Sequence, residues 1–299
     1  MKTPFWPLVP GLVVVLTSCA GSGGTSPRPS PDAIEHPTGR DVVVRVDAGG
    51  GFVPIEFTFG ALPPFTLLGD GTVITQGPQV AIYPGPALPN LQERRLSESG
   101  IQAVLRAIID TGLFHADAEY NGAANVVADA GTTTFIVNAG GRTVVVSVYG
   151  LGTLPEAGGP GANVSAAEAA AHERLQQLNE RLNGLETWLP EDAWADAEFA
   201  TYTPEALRLF VRNADGDPPD ESGIGPNERD WPLDTRLAEF GEPTEPMPDF
   251  RCGTVDGADA TALLDELASS NQLTRWRSGE SVYAVIARPL LPDEPLTCP

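Results

Sequence analysis

The sequence predicts an α+β fold, built from largely antiparallel sheets with helices packed on them. Three observations predict it. The segment "TTTFIVNAGGRTVVVSVYG", starting at Thr132, reads as a hairpin whose two faces agree in register. Two stretches, Ser97–Thr111 and one opening at Ser165, carry apolar residues at helical spacing. The last third of the chain returns to a strand, a helix and a strand. Strands and helices follow in blocks, without the strict alternation that builds a parallel sheet.

Each element has its own signal. In "RDVVVRVDAGGGF", Val42, Val44 and Val46 alternate with Val43 and Arg45, the period of a strand ended by Gly49-Gly50-Gly51. The triple glycine lacks the lysine and Ser/Thr of a phosphate loop, and no helical pattern follows it, so it is expected to be a turn or bulge. Asp70-Gly71 between apolar runs marks a second hairpin. In Ser97–Thr111, Ile101, Val104, Leu105 and Ile108 form one stripe, and Gly112 stands where a left-handed C-cap is wanted. In the hairpin at Gly140-Gly141, Val137 faces Val144 and Phe135 faces Val146. On the other face Ile136 meets Val145 and Thr134 meets Ser147. One of these faces is wholly apolar and is expected to lie on a helix.

Ser165 and Glu168 form a capping box that opens a long helix carrying Leu175, Leu178, Leu182, Leu185 and Leu189. Asn183-Gly184 interrupts the pattern, which favours a helix packed on its own sheet over a coiled-coil seam. Beyond Pro190 follow a strand at Leu207–Val211 and a long acidic loop. A helix with Leu263, Leu264 and Leu267 on its inner side comes next, then a strand at Val282–Ala287. The expected organisation is residues 1–18 as a signal segment, 19–40 as a tether, 41–190 as an α+β domain and 191–299 as a smaller α+β part.

Composition limits the partners. The chain has 299 residues, a net charge of -22 and 41% hydrophobic residues, which suits one large domain or two small ones. So acidic a chain is a poor match for nucleic acid, whose phosphates require Lys and Arg. It is equally ill suited to lying flat on anionic lipid.

The N-terminus carries an address. Lys2 precedes an apolar run from Phe5 to Ser18 that is broken by Pro7 and Pro10. At about 14 residues the run is shorter than the roughly 20 of a spanning helix and has the order of a secretory signal. Leu16-Thr17-Ser18-Cys19 resembles the lipobox of bacterial lipoproteins. The resemblance implies that Cys19 is lipidated after cleavage before it, which places the protein on the extracytoplasmic face of the cell membrane. The Gly-, Ser- and Pro-rich stretch that follows behaves as a tether spanning roughly 25 Å. Two pieces of the remaining chain carry a second resemblance. "FTLLGDGTVI" with the later hairpin looks like an uncharacterised class of secreted bacterial domains. The tail "RWRSGESVYAVIARPLLPDEPLTC" is similar to the ends of actinobacterial lipoproteins of unknown function. Neither implies a catalytic residue.

If Cys19 is acylated, Cys252 and Cys298 remain, and an even remainder in an exported chain points to a disulfide. Catalytic chemistry has less support. There is no G-x-S-x-G, and the histidines are His36, His115 and His172. His36 lies in the tether, and the other two are expected at the surface. "HERLQ" at His172 starts like H-E-x-x-H, but Gln176 replaces the second zinc ligand. Asn213, Asp215, Asp217 and Glu221 have the odd spacing of a calcium loop. Pro218 and Ile224 stand where its glycine and glutamate belong, so a solvated acidic loop is expected. Trp188, Trp194, Trp231 and Trp276 are expected as core or seam residues before a sugar platform. No metal or cofactor is expected. The expected function is a lipid-anchored, non-enzymatic binding or structural module of the cell envelope, with an envelope protein as partner. The alternative is an extracytoplasmic hydrolase using acidic residues at the seam between the two parts.

Overall fold

A computed structural model describes residues 1, 33–125, 127–153, 164–218, 223–245 and 247–298. Cys19 and the signal segment lie outside the described residues. Among those residues, eight strands form one sheet and six another. The first sheet contains β1 (Val42–Gly50), β2 (Phe65–Leu68), β3 (Thr72–Gln76), β4 (Leu91–Arg95), β5 (Ala118–Tyr120), β6 (Gly131–Ala139), β7 (Arg142–Tyr149) and β8 (Ala200–Thr201). Their order is β5-β7-β6-β1-β2-β3-β4-β8. The second contains β9 (Ala206–Asn213), β10 (Glu228–Asp230), β11 (Glu242–Pro243), β12 (Phe250–Asp256), β13 (Arg275–Ser278) and β14 (Ser281–Pro289), in the order β10-β13-β14-β9-β12-β11. Pairing is antiparallel except at β5/β7 and β10/β13. The fold is α+β, as the sequence predicts.

The β6/β7 hairpin has the expected register on both faces. Gly140 and Gly141 adopt φ of +59° and +71°, the left-handed pair that a tight hairpin turn requires. At the β2/β3 turn, Gly71 has φ of +90°, and a Cβ there would meet Leu96 O at 2.3 Å, so only glycine fits. Helix α2 (Glu98–Ile109) starts at Ser97, whose hydroxyl accepts from Gly100 N–H. Helix α3 (Ala166–Asn183) starts at Ser165, which accepts from Glu168 N–H. The Glu168 carboxylate accepts from Gly122 N–H at 2.6 Å, tying α3 to the loop after β5. Asn183-Gly184 ends the helix, so Leu185 and Leu189 reach the core from the turns beyond it.

Alternation along the strands divides the side chains. Val44, Val46, Phe65, Leu67, Phe135, Val137, Val144 and Val146 face α2 and α3 and form the main core. In the second sheet, Leu207, Leu209, Val211 and Trp276 pack with helix α4 (Gly257–Leu267) through Leu263 and Leu267.

The segment after the glycine run also departs from the sequence expectation. The glycine run is followed by the short helix α1 (Ile55–Gly60), which joins β1 to β2. Six residues are too few to show a helical period, which is why the pattern is silent there. Its Phe59 stacks on Phe210 of the second sheet, ring centroids 4.1 Å apart, and meets Phe250 edge-on at 5.1 Å. The traffic runs both ways. After β14 the chain passes along the first sheet, where Leu291 joins Leu68, Ile74, Leu91 and Tyr202 in a separate apolar cluster. The β3–β4 loop also crosses, with Ala87 N–H donating to Ser270 O and Leu88 packing on the second core. No helix among the described residues is long and apolar enough to cross a membrane.

Candidate functional site

The seam between the sheets is where charge is gathered. Arg45 and Asp47 project from the face of β1 opposite to Val44 and Val46. Arg208 and Arg288 project from the Phe210 face of the second sheet. The chain after β14 runs between them. Arg288 donates two hydrogen bonds to the Glu294 carboxylate, at 2.8 and 2.7 Å, and one from Nε to Ala61 O at 2.7 Å. Arg45 donates to Asp293 at 2.6 Å. Arg208 donates to the carbonyls of Thr297 and Pro295, and Tyr202 to that of Leu290. Both acids and both of their arginine partners have side chains less than a fifth exposed.

Electrostatics sorts these acids. Burial acts to raise the pKa of Glu294, but the bonds from Arg288 and Leu291 N–H outweigh it and hold the carboxyl below its ordinary value. Asp47 is pushed up, by burial first, although Arg45 is near. Glu93 is also pushed up by burial. The two raised carboxyls do not converge. Arg45, Thr66, Ile74 and Glu93 form one row across four strands. Glu93 is therefore three strands away from β1, roughly 15 Å from Asp47, more than the roughly 9.5 Å spanned by a paired-carboxylate glycosidase site.

Cys252 and Cys298 are bonded to each other, with Cα atoms 6.0 Å apart. The bridge fixes the end of the returning segment to β12. In the acidic loop, Asp217 accepts two bonds from Arg212, at 3.0 and 2.7 Å, and Asp215 accepts from Val282 N–H. Asn213 Oδ1 accepts from Asp215 N–H. These side chains organise the loop itself; Glu221 lies outside the described residues. Among the described residues there is no group of three or more His, Cys, Asp or Glu arranged to hold a metal ion.

The histidines are dispersed. His36 Nε2 is 3.3 Å from Glu98, and His115 is exposed with Nδ1 3.1 Å from Gly112 O. His172 differs from the surface position expected for it: the residue is only 4% exposed. The reason lies in helix geometry, since positions 172, 175, 178 and 182 share the face of α3 turned to the core. The tryptophans are committed as well. Trp231 and Trp276 pack edge to face in the second core, Arg94 lies over Trp194 at 3.8 Å, and Arg181 over Trp188 at 4.3 Å.

One apolar surface stands out. Phe52, Val53 and Phe57 are 92%, 49% and 71% exposed, all within the β1–β2 connection. Beside them is a groove of about 590 Å³, lined in part by Val53, Phe57, Val127, Ala130 and Leu151. Neither the residues nor the groove was marked in the sequence; two phenylalanines beside a glycine run were the available signal. Comparisons of the chain with protein-family models, with curated proteins and with solved structures return no match.

Proposed function

We propose that this protein is a lipid-anchored module of the cell envelope, held at the extracytoplasmic face of the membrane through Cys19, that binds another envelope protein and is not an enzyme. The observation that carries the reading is Leu16-Thr17-Ser18-Cys19 at the end of a short apolar run. Two lipid chains at about 0.8 kcal/mol per buried methylene hold a protein stably on a bilayer. Among the described residues, Ile34 is tied to α2, its N–H and C=O both bonding Gln102. The Gly-, Ser- and Pro-rich composition of the stretch after Cys19 suits a leash between lipid and fold. The exposed Phe52, Val53 and Phe57 beside their groove favour a partner surface over a solvated face. The hydrolase alternative draws less support, because the seam carboxylates are either paired with arginine or far apart.

Metabolic labelling with a fatty-acid analogue tests the anchor: the wild type takes label and Cys19→Ser does not. Equal labelling of both would remove the anchor and the location with it. Cross-linking in intact cells tests the surface, with one defined envelope adduct lost in Phe57→Asp but kept in a substitution on the opposite side, such as Asp259→Asn.

A further inference from the structure

We infer that the seam contains a built site for one ordered water molecule, joining Arg45 to Thr66 and Asp293. Two side-chain atoms carry the inference. Thr66 has no solvent exposure, and its hydroxyl has no hydrogen-bond partner among the described residues. Arg45 Nε is likewise buried and without a partner. The two residues are cross-strand neighbours. Arg45 and Thr66 are directly opposed on β1 and β2. Their side chains therefore rise from the same face of the sheet, with Cβ atoms about 5 Å apart. Native interiors pair more than about nine in ten buried polar groups, and use ordered water where no protein group reaches.

The guanidinium fixes where the missing partner sits. Arg45 donates from Nη2 to Asp293 Oδ1 at 2.6 Å. The Nε–H stands on the same edge of the planar guanidinium as Nη2. Its acceptor therefore sits on the Asp293 edge of the guanidinium, over the sheet face from which Thr66 also rises. A cation at this point is opposed by the adjacent guanidinium. An anion is opposed by Asp293 and by Asp47, which follows on the same face of β1. The occupant must be small and neutral, and must both donate and accept. Water meets each requirement: it accepts from Arg45 Nε, bonds the Thr66 hydroxyl and donates to the Asp293 carboxylate. Three partners are typical of a buried water. The site makes Thr66 a positioning residue for the Arg45–Asp293 pair, and so for the segment that crosses between the sheets.

The test is a crystal structure of the full chain together with the thermal stability of Thr66→Val. The expected structure has one water within hydrogen-bond distance of Arg45 Nε and the Thr66 hydroxyl. The expected variant melts about 2–4 °C below wild type, because valine keeps the shape and strands the water and Arg45. If the hydroxyl were unpaired and dry, valine would remove an unsatisfied group and the melting temperature would rise. A dry site, a protein partner for either atom, or an equal or higher melting temperature for Thr66→Val each overturns the inference. If the variant does not fold, the wild-type structure still decides.

Discussion

Burial favours the neutral form of His172. Its ring meets Tyr120 at a 75° interplanar angle, and neither ring nitrogen has a hydrogen-bond partner among the described residues. Burial lowers its pKa, and Glu168 one turn earlier only partly opposes that. The unfolded chain thus takes up a proton at His172 more readily than the folded one. Stability from this residue is present in full above the unfolded value near 6.5 and is lost as pH falls toward the lower folded pKa. We predict that urea denaturation of the wild type shows a drop between pH 7.5 and pH 5.5. In His172→Leu that drop shrinks, and stability at pH 7 rises by about 1 kcal/mol, since an unsatisfied buried polar group is removed. A wild-type curve flat across this range would contradict the assignment.

The short helix Ile55–Gly60 offers a sharper contrast, because its two phenylalanines have opposite roles. Phe59 stacks on the second sheet, whereas Phe57 faces solvent. Phe59→Ala is predicted to destabilise by about 2 kcal/mol and Phe57→Ala by less than about 0.5 kcal/mol, both read from denaturation midpoints. The bridge makes another element-scale prediction. Cys252 and Cys298 are 46 residues apart, and in the chain-entropy model a closure of that size stabilises by about 4 kcal/mol. Cys252→Ser with Cys298→Ser should lose most of that, and a double variant as stable as wild type would show the bridge to be dispensable. The sequence made the β6/β7 hairpin, α2 and α3 legible because each declares itself within about 20 residues by periodicity and caps. The short helix is silent for the opposite reason: its partners, Phe210 and Phe250, are supplied by a distant part of the chain.

The seam belongs to the whole molecule. Arg45 and Asp293 are 248 positions apart, so no local pattern could have announced their pairing. The bridge was legible only by counting cysteines. Arg288 is the member on which the others depend, since it holds both Glu294 and the carbonyl of Ala61. Arg288→Met would leave Glu294 buried beside no equal partner, and the predicted loss is about 3 kcal/mol at pH 7. The lowered pKa of Glu294 gives the sign of the acid limb: its contribution is present above about pH 4.5 and disappears as pH falls through the folded value. The variant should therefore show a flatter acid limb than the wild type in pH-dependent melting. The two sheets meanwhile exchange segments. The first sends Phe59 to the second, and the second sends Leu291 back. A gene cut between Thr201 and Ala206 would give two fragments, each with a bare apolar face and the other's missing piece. A duplication or fusion that carried only one of the sheets would therefore carry an apolar face without its cover.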